Sequence, residues 1–138
     1  MGTRVDIESQ GAMPLRVEAD IVASRQLVRK LAQQLGFSLV DQTKMITAAS
    51  ELSRNTVTYG GGGDMEWELL EDGIKRGLGL RCRDQGPGIP DLTLALKDGW
   101  TSGKGMGLGL SGSRRLVHEF DIQSEVGAGT CVSVIRWK

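Results

Sequence analysis

The spacing of apolar residues changes several times along the chain, and three stretches have helical spacing. Apolar residues recur every three or four positions from Asp20 to Leu35 and from Ser38 to Tyr59, which predicts two amphipathic helices. Asp20 and Ser38 are typical N-cap residues, and Gly36 is a typical helix stop. A third stretch with this spacing, from Leu108 to Phe120, predicts another substantial helix.

Other stretches alternate apolar and polar residues, as strands do. Helical and alternating stretches are segregated, so we expect an α+β two-layer sandwich, with a mixed, mostly antiparallel sheet covered by helices on one face. Two short alternating segments lie near the start of the chain, and two later pairs of alternating segments each predict a hairpin. These six segments are Thr3 to Glu8, Leu15 to Glu18, Met65 to Leu69 with Leu78 to Arg83, and Ile122 to Val126 with Cys131 to Trp137.

Length and charge narrow the class of protein. The 138 residues are the size of one domain, in which residues 1–12 form a tail or an extra edge strand. Seventeen basic and seventeen acidic residues give zero formal net charge without blocks of like charge, which argues against nucleic-acid and anionic-membrane partners. No signal peptide or spanning apolar segment is recognisable. We therefore expect a cytoplasmic protein whose two cysteines, Cys82 and Cys131, are reduced.

The segment DQGPGIP, from Asp84 to Pro90, is the first candidate site. Asp84 follows an alternating run and is expected at the mouth of a strand. Gly86 and Gly88 permit close approach of a ligand to the backbone, and the prolines fix its path. A carboxylate in this setting can accept a hydrogen bond from an amino group on a flat heterocycle. The alternative is an ordinary turn between a strand and a helix.

A second candidate lies in the helix predicted from Ser38 to Tyr59. Glu51 and Asn55 are four residues apart and therefore share one helix face. The amide oxygen of Asn55 suits a hard cation such as Mg²⁺, and Glu51 can take a proton from an attacking hydroxyl or water. The alternative is a solvent-facing pair in which Glu51 only contacts Arg54.

A third candidate is the glycine-rich segment before the third predicted helix. Gly103, Gly105, Gly107 and Gly109 alternate with other residues, and backbone N–H groups at a glycine-lined helix start can hold phosphate oxygens. Lys104 would add a positive charge. A flexible loop is one alternative. Another is a dinucleotide fingerprint at Gly107, Gly109 and Gly112, but no strand precedes this match, and the segment is not a P-loop.

The remaining glycine-rich stretches receive simpler interpretations. Gly60 to Gly63 is predicted to be a linker. Asp91 to Lys97 is predicted to be a short helix, and the polar stretch from Asp98 to Met106 a mobile lid.

Four short motifs together resemble the GHKL ATPases, the superfamily that includes histidine kinases and DNA gyrase. They are E-x-x-x-N (Glu51, Asn55), D-x-G-x-G-I (Asp84 to Ile89), G-x-G-L-G-L (Gly105 to Leu110) and G-x-G-T (Gly127 to Thr130). The compact size and short lid are most similar to the anti-sigma-type serine/threonine kinases. The segments ELSRN, DQGPGIPD, DGWTSG and EFDI especially resemble the switch kinases of bacterial stressosomes.

This resemblance implies a Bergerat-type fold that binds Mg-ATP. Asp84 would contact the adenine amino group, with Thr130 nearby; Asn55 would hold Mg²⁺, and Glu51 would be the base. The nucleotide-binding set that follows from the motifs and from the phosphate argument comprises Asp84, Gly86, Gly88, Ile89, Gly103, Lys104, Gly105, Gly107, Leu108, Gly109 and Thr130.

The acceptor of the phosphoryl group is partly indicated by composition. The single histidine, His118, lies in the third predicted helix without a further helical hairpin to present it, so we expect an ordinary surface residue. The acceptor is then a hydroxyl on another protein, or water. The resemblance implies a STAS-domain scaffold or antagonist protein as substrate, and a downstream phosphatase or other signalling effector as second partner. The rival hypothesis is a non-catalytic switch that binds nucleotide only to set its own conformation.

Overall fold

Two long helices and a five-stranded antiparallel sheet make up the computed structural model, which describes residues 4–89, 91, 96 and 109–138. The strand order is β1-β2-β3-β5-β4, and all four neighbouring pairs are antiparallel. The elements are β1 (Asp6–Leu15), α1 (Glu18–Gln34), α2 (Leu39–Thr58), β2 (Gly63–Glu71), β3 (Arg76–Asp84), α3 (Gly109–Arg115), β4 (Glu119–Glu125) and β5 (Gly129–Trp137).

The core lies between the helices and one face of the sheet, which confirms the predicted α+β sandwich. Every second side chain of β3 points toward the helices, and Leu78, Leu80 and Cys82 are at most 2% exposed there. Arg81 and Arg83, on the other face of β3, are more accessible. Buried residues from all layers join one cluster; they include Val28, Leu31, Leu35, Met45, Ala49, Leu52, Met65, Leu69, Val132 and Val134.

The start of the chain differs from the prediction. Thr3 to Glu8 and Leu15 to Glu18 were expected as two strands, but a single strand, β1, runs along β2 from Asp6 to Leu15. Helix α1 begins at Glu18, with Val17 rather than Asp20 at its N-cap. The Asp20 carboxylate instead accepts hydrogen bonds from the backbone N–H groups of Arg16 (2.8 Å) and Val17 (3.2 Å). Asp20 therefore caps the helix from its third position.

Helix α2 matches the prediction more closely. The Ser38 hydroxyl accepts a hydrogen bond from the Asp41 N–H at 3.1 Å, as expected for an N-cap. Gly36, with φ 77°, directly follows the C-cap residue of α1 and ends that helix, as predicted. Within the described part of the chain, no helix is long and apolar enough to span a bilayer.

The third helix is shorter than predicted. It ends at Arg115, and Phe120 belongs to β4 rather than to the helix. Phe120 and Ile122 alternate toward the core, opposite Val134 and Val132 of β5, so strand pairing decides the structure here. The expectation of a helix reaching Phe120 was wrong because a few apolar residues fit either period.

Candidate nucleotide site

Asp84 lies at the end of β3, where the sheet meets the end of α2. Its side chain faces the helices and is only 9% exposed. Oδ1 accepts hydrogen bonds from the backbone N–H groups of Gly86 at 2.9 Å and Thr130 at 3.2 Å. The carboxylate is therefore held by its own loop and by β5. The prediction that Asp84 stands at the mouth of a strand is confirmed.

Gly60 makes the closest approach to this carboxylate. A Cβ atom on Gly60 would lie 2.5 Å from Oδ2 of Asp84, and a Cβ atom on Gly86 would lie 2.7 Å from the Gly60 carbonyl oxygen. Only residues without side chains let the end of α2 and the Asp84 loop pack so closely. The interpretation of Gly60 to Gly63 as a plain linker is therefore wrong for Gly60, and also for Gly63, which is the first residue of β2 and pairs with Asp84. The available signal for Gly60 was its position directly after the helix that carries Glu51 and Asn55.

The loop after Asp84 is fixed against the hairpin of β4 and β5. The Ile89 N–H donates to the Ser124 hydroxyl at 2.7 Å, and the Gly127 N–H donates to the Pro87 carbonyl at 2.9 Å. Gly88 adopts φ 79°, a conformation that favours glycine. The loop therefore has a fixed conformation, held by hydrogen bonds to the hairpin.

Ser124 connects this loop to the other predicted site residue of the hairpin. Its Oγ lies 2.8 Å from Oγ1 of Thr130 and 3.2 Å from the Gly129 carbonyl oxygen. Sequence reasoning did not identify Ser124. The available signal was a polar residue in β4 at a helix-facing position, two residues after Ile122, where the alternation favours an apolar side chain.

Glu51 and Asn55 lie one helical turn apart in α2. Glu51 is 8% exposed, and its Oε1 accepts a hydrogen bond from Arg54 at 3.1 Å. Asn55 is half-buried, and its backbone carbonyl accepts hydrogen bonds from the backbone N–H groups of Tyr59 and Gly60, both at 3.0 Å. Since Gly60 also touches Asp84, the structure places Asn55 next to the helix end that packs on the Asp84 loop.

Most of the predicted phosphate segment lies outside the described residues. Gly103, Lys104, Gly105, Gly107 and Leu108 fall there, as do the predicted lid from Asp98 to Met106 and nearly all of Asp91 to Lys97. Gly109 is the first residue of α3.

The two cysteines lie on opposite faces of the sheet. Cys82 pairs with Val132 in the core, where burial raises the pKa of its thiol to about 12. Cys131 faces the side away from the helices and lines a cavity of about 360 Å³ with Arg83 and Gln123. Both thiols are free.

His118 lies between α3 and β4, not inside a helix as predicted. It is exposed, and its Nδ1 accepts a hydrogen bond from the Trp137 N–H at 2.8 Å. Partial burial and the nearby charge of Arg136 lower its pKa. Its surface position agrees with the expectation of an ordinary residue.

Comparison with known proteins identifies the class. The model of the histidine kinase-, DNA gyrase B- and HSP90-like ATPases matches residues 40–138, and the chain belongs to this family. Over 131 residues it is 44% identical to the serine/threonine-protein kinase RsbT of Bacillus subtilis (strain 168), covering 95% of this chain and 98% of the relative. This similarity confirms the prediction of a serine/threonine-protein kinase.

Two solved structures share the fold. The structure of the RsbU and RsbW domains of Rv1364c from Mycobacterium tuberculosis gives a TM-score of 0.67 at 19% identity. That match covers 94% of this chain and 33% of the other. The mycobacterial sensor histidine kinase MprB gives a TM-score of 0.55 at 16% identity, covering 94% of this chain and 97% of the other. At these identities the likeness concerns the fold alone.

Proposed function

We propose that this kinase binds Mg-ATP at the junction of α2, the Asp84 loop and β5, and transfers the γ-phosphoryl group to a serine or threonine of a partner protein. The observation that carries the proposal is the nearly buried Asp84 carboxylate, held by two backbone N–H groups and facing the glycine at the end of α2. Such a carboxylate accepts a hydrogen bond from the adenine amino group. Gly60 and Gly86 let the end of α2 and the Asp84 loop pack together, which holds this carboxylate in place.

The chemistry is proposed for the two residues of α2. The amide oxygen of Asn55 suits Mg²⁺, which typically takes one or two protein ligands and completes its shell with phosphate oxygens and water. When bound, the ion would neutralise charge on the phosphates. Glu51, one turn earlier, would take the proton of the acceptor hydroxyl. Its hydrogen bond with Arg54 holds the carboxylate in a defined position on the helix.

The proposed contacts to the phosphates follow from the glycine-rich sequence motif before α3. Gly103, Lys104, Gly105, Gly107, Leu108 and Gly109 would surround the phosphate oxygens ahead of α3, while Gly86, Gly88, Ile89 and Thr130 would complete the base site with Asp84.

The substrate we propose is a STAS-domain scaffold or antagonist protein in a bacterial partner-switching system of the stressosome type. Its phosphorylation would free the kinase for a downstream phosphatase or other effector. The extensive similarity to a serine/threonine kinase named RsbT supports this proposal. A new phosphate adds about 1.5 to 2 negative charges. Beside Glu51 it would be repelled, so transfer itself would weaken the complex. The use of ATP favours a cytoplasmic location.

The test uses the full chain, a purified STAS-domain protein from the same genome and ATP labelled in its γ-phosphate. We expect a stable complex without nucleotide, then label on serine or threonine and dissociation once Mg-ATP is added. Mass spectrometry locates the phosphate. Glu51→Ala is the matched control, which should bind ATP and partner but transfer little phosphate.

The rival function, a non-catalytic switch, predicts a different result in the same experiment. Nucleotide would change the affinity for the partner while no label appears. A partner that stays bound after stoichiometric phosphorylation would contradict the proposed release. Complete failure to bind ATP would refute both.

A further inference from the structure

The hydroxyls of Ser124 and Thr130 form a pair beside the Asp84 carboxylate. Both residues point toward the helices from facing positions of β4 and β5, and their oxygens are 2.8 Å apart. Thr130 also donates its backbone N–H to Asp84 at 3.2 Å. Any group that contacts the side chains of Asp84 and Thr130 is therefore influenced by the proton between the two hydroxyls.

The neighbours of Ser124 limit where that proton lies. A serine hydroxyl has one proton to donate and two lone pairs. The Ile89 N–H, at 2.7 Å, can only donate and uses one lone pair of Ser124. The Ser124 proton has two acceptors within reach: the Gly129 carbonyl at 3.2 Å, which can only accept, and the Thr130 hydroxyl at 2.8 Å, which can donate or accept. With the Ser124 proton on Gly129, all three contacts are satisfied at once, because the remaining lone pair of Ser124 then accepts the proton of Thr130.

We infer that Ser124 is a positioning residue for nucleotide selectivity: it orients the Thr130 hydroxyl so that this oxygen can only accept hydrogen bonds from a bound base. The inference rests on the proposed function, which places Asp84 and Thr130 at the six-position of a purine. Ser124 itself does not contact the nucleotide.

The oriented hydroxyl distinguishes adenine from 6-oxopurines. Asp84 alone does not, because a carboxylate accepts from the adenine amino group or equally from the N1–H of hypoxanthine. The six-position is an amino donor in adenine and a carbonyl acceptor in hypoxanthine. If Thr130 can only accept, a 6-carbonyl beside it lacks a donor. A site that leaves a polar group unpaired discriminates strongly against that ligand.

The test compares dissociation constants of ATP and ITP, the 6-oxo analogue, measured by calorimetry on the full chain. The wild type should prefer ATP. In Ser124→Ala the Thr130 hydroxyl is free to rotate and donate to the 6-carbonyl, so the ratio of ITP to ATP dissociation constants should fall by about tenfold, the factor for one unpaired polar group. Ser133→Ala is the matched control, because Ser133 lies in β5 and bonds to Arg81 on the opposite face of the sheet, and its ratio should stay unchanged.

A second pair of variants separates orientation from general support of the loop. Thr130→Val removes the oriented hydroxyl and keeps the branched shape, so adding Ser124→Ala to it should not change the ratio further. If Ser124→Ala weakens ATP and ITP equally, Ser124 only tethers the loop and the inference is overturned. Ser124→Val, which has no hydrogen-bonding group and suits a strand, replaces Ser124→Ala if that variant does not fold, and an unchanged ratio in it overturns the inference as well. A wild type that binds neither nucleotide would refute the proposed function instead.

Discussion

Replacing Gly60 by alanine tests the contact that joins α2 to the Asp84 loop. The new Cβ would lie 2.5 Å from Oδ2 of Asp84, well inside van der Waals contact. Gly60 does not have a positive φ, so alanine costs no backbone strain there, and the whole effect comes from this contact. Either the carboxylate or the helix end has to move.

The expected magnitude follows from what Asp84 would lose. Its Oδ1 bonds with Gly86 and Thr130 are charge-assisted, and one such bond is worth about 1.5 to 3 kcal/mol. If moving the carboxylate sacrifices one of them, or the equivalent bond to adenine, ATP affinity falls by roughly 10-fold to 100-fold. Overpacking also lowers the free energy of unfolding by about 1 to 3 kcal/mol.

The assay is calorimetric titration with ATP, accompanied by urea denaturation. Gly61→Ala is the matched control: Gly61 has φ 74°, and a Cβ there would meet nothing within 4 Å. It should cost about 1 to 2 kcal/mol of stability through backbone strain and leave ATP affinity unchanged. If Gly60→Ala binds ATP as tightly as Gly61→Ala does, the close packing at Asp84 does not matter for the nucleotide.

Three further predictions concern single side chains. Asp84→Asn should weaken ATP binding by roughly 10-fold or more with the fold intact, because a charge-assisted acceptor is lost; wild-type affinity by calorimetry would remove its adenine-reading role. Glu51→Ala should leave ATP affinity nearly unchanged and slow phosphoryl transfer by about 10² to 10⁴. Asn55→Ala should instead raise the Mg²⁺ concentration that phosphoryl transfer requires. Equal losses of transfer rate in both variants, without a change in Mg²⁺ requirement, would show that the two roles are wrongly divided. The Asp41 carboxylate accepts a hydrogen bond from Arg136, and this contact lowers the pKa of Asp41. The ion pair therefore stabilises the fold fully above the ordinary aspartate pKa of about 3.9. This stabilisation is lost as the pH falls through the lowered pKa. Asp41→Asn should therefore destabilise the protein at pH 7 and much less at pH 3 in urea titrations; equal destabilisation at both values would contradict the ion-pair explanation.

The parts of the fold that local pattern could predict are those where one period dominates. Helix α2 was recognisable because Met45, Ala49 and Leu52 recur at helical spacing behind the Ser38 cap. The hairpin of β2 and β3 alternates cleanly, and this placed Asp84 at a strand end. The third helix was overextended because Leu116, Val117 and Phe120 fit a helical stripe, while Phe120 with Ile122 fits a strand. Pairing with β5 decided between them, and no local window contains β5.

Within the candidate site, the sequence indicated which side chains have suitable chemistry, but not which residues pack against them. Asp84 could be singled out only together with the other motifs, because a carboxylate before a Gly-Pro loop also fits an ordinary turn. The roles of Gly60 and Ser124 depend on contacts across 24 and 35 positions of sequence, with Asp84 and Ile89 respectively. A glycine run is the same string of letters whether it links two elements or lets them touch. Only the fold distinguishes the two cases.

The contacts of Gly60 and Ser124 link the Asp84 loop to different elements, so changes at the two residues should have different effects on nucleotide binding. Gly60 connects the carboxylate proposed to read the base to the residues proposed for the chemistry, because its backbone N–H donates to the Asn55 backbone carbonyl and it packs on Asp84. If Asp84 reads the base as proposed, a shift of its carboxylate on binding would be transmitted to the last turn of α2, where the proposed metal ligand lies. Ser124 connects the loop after Asp84 to the β4–β5 hairpin, because its hydroxyl accepts a hydrogen bond from the Ile89 N–H, and this hairpin carries neither Glu51 nor Asn55. Crowding at Gly60 should then disturb both ATP affinity and Mg²⁺ dependence, whereas changes at Ser124 should alter which base is bound and leave the metal requirement alone.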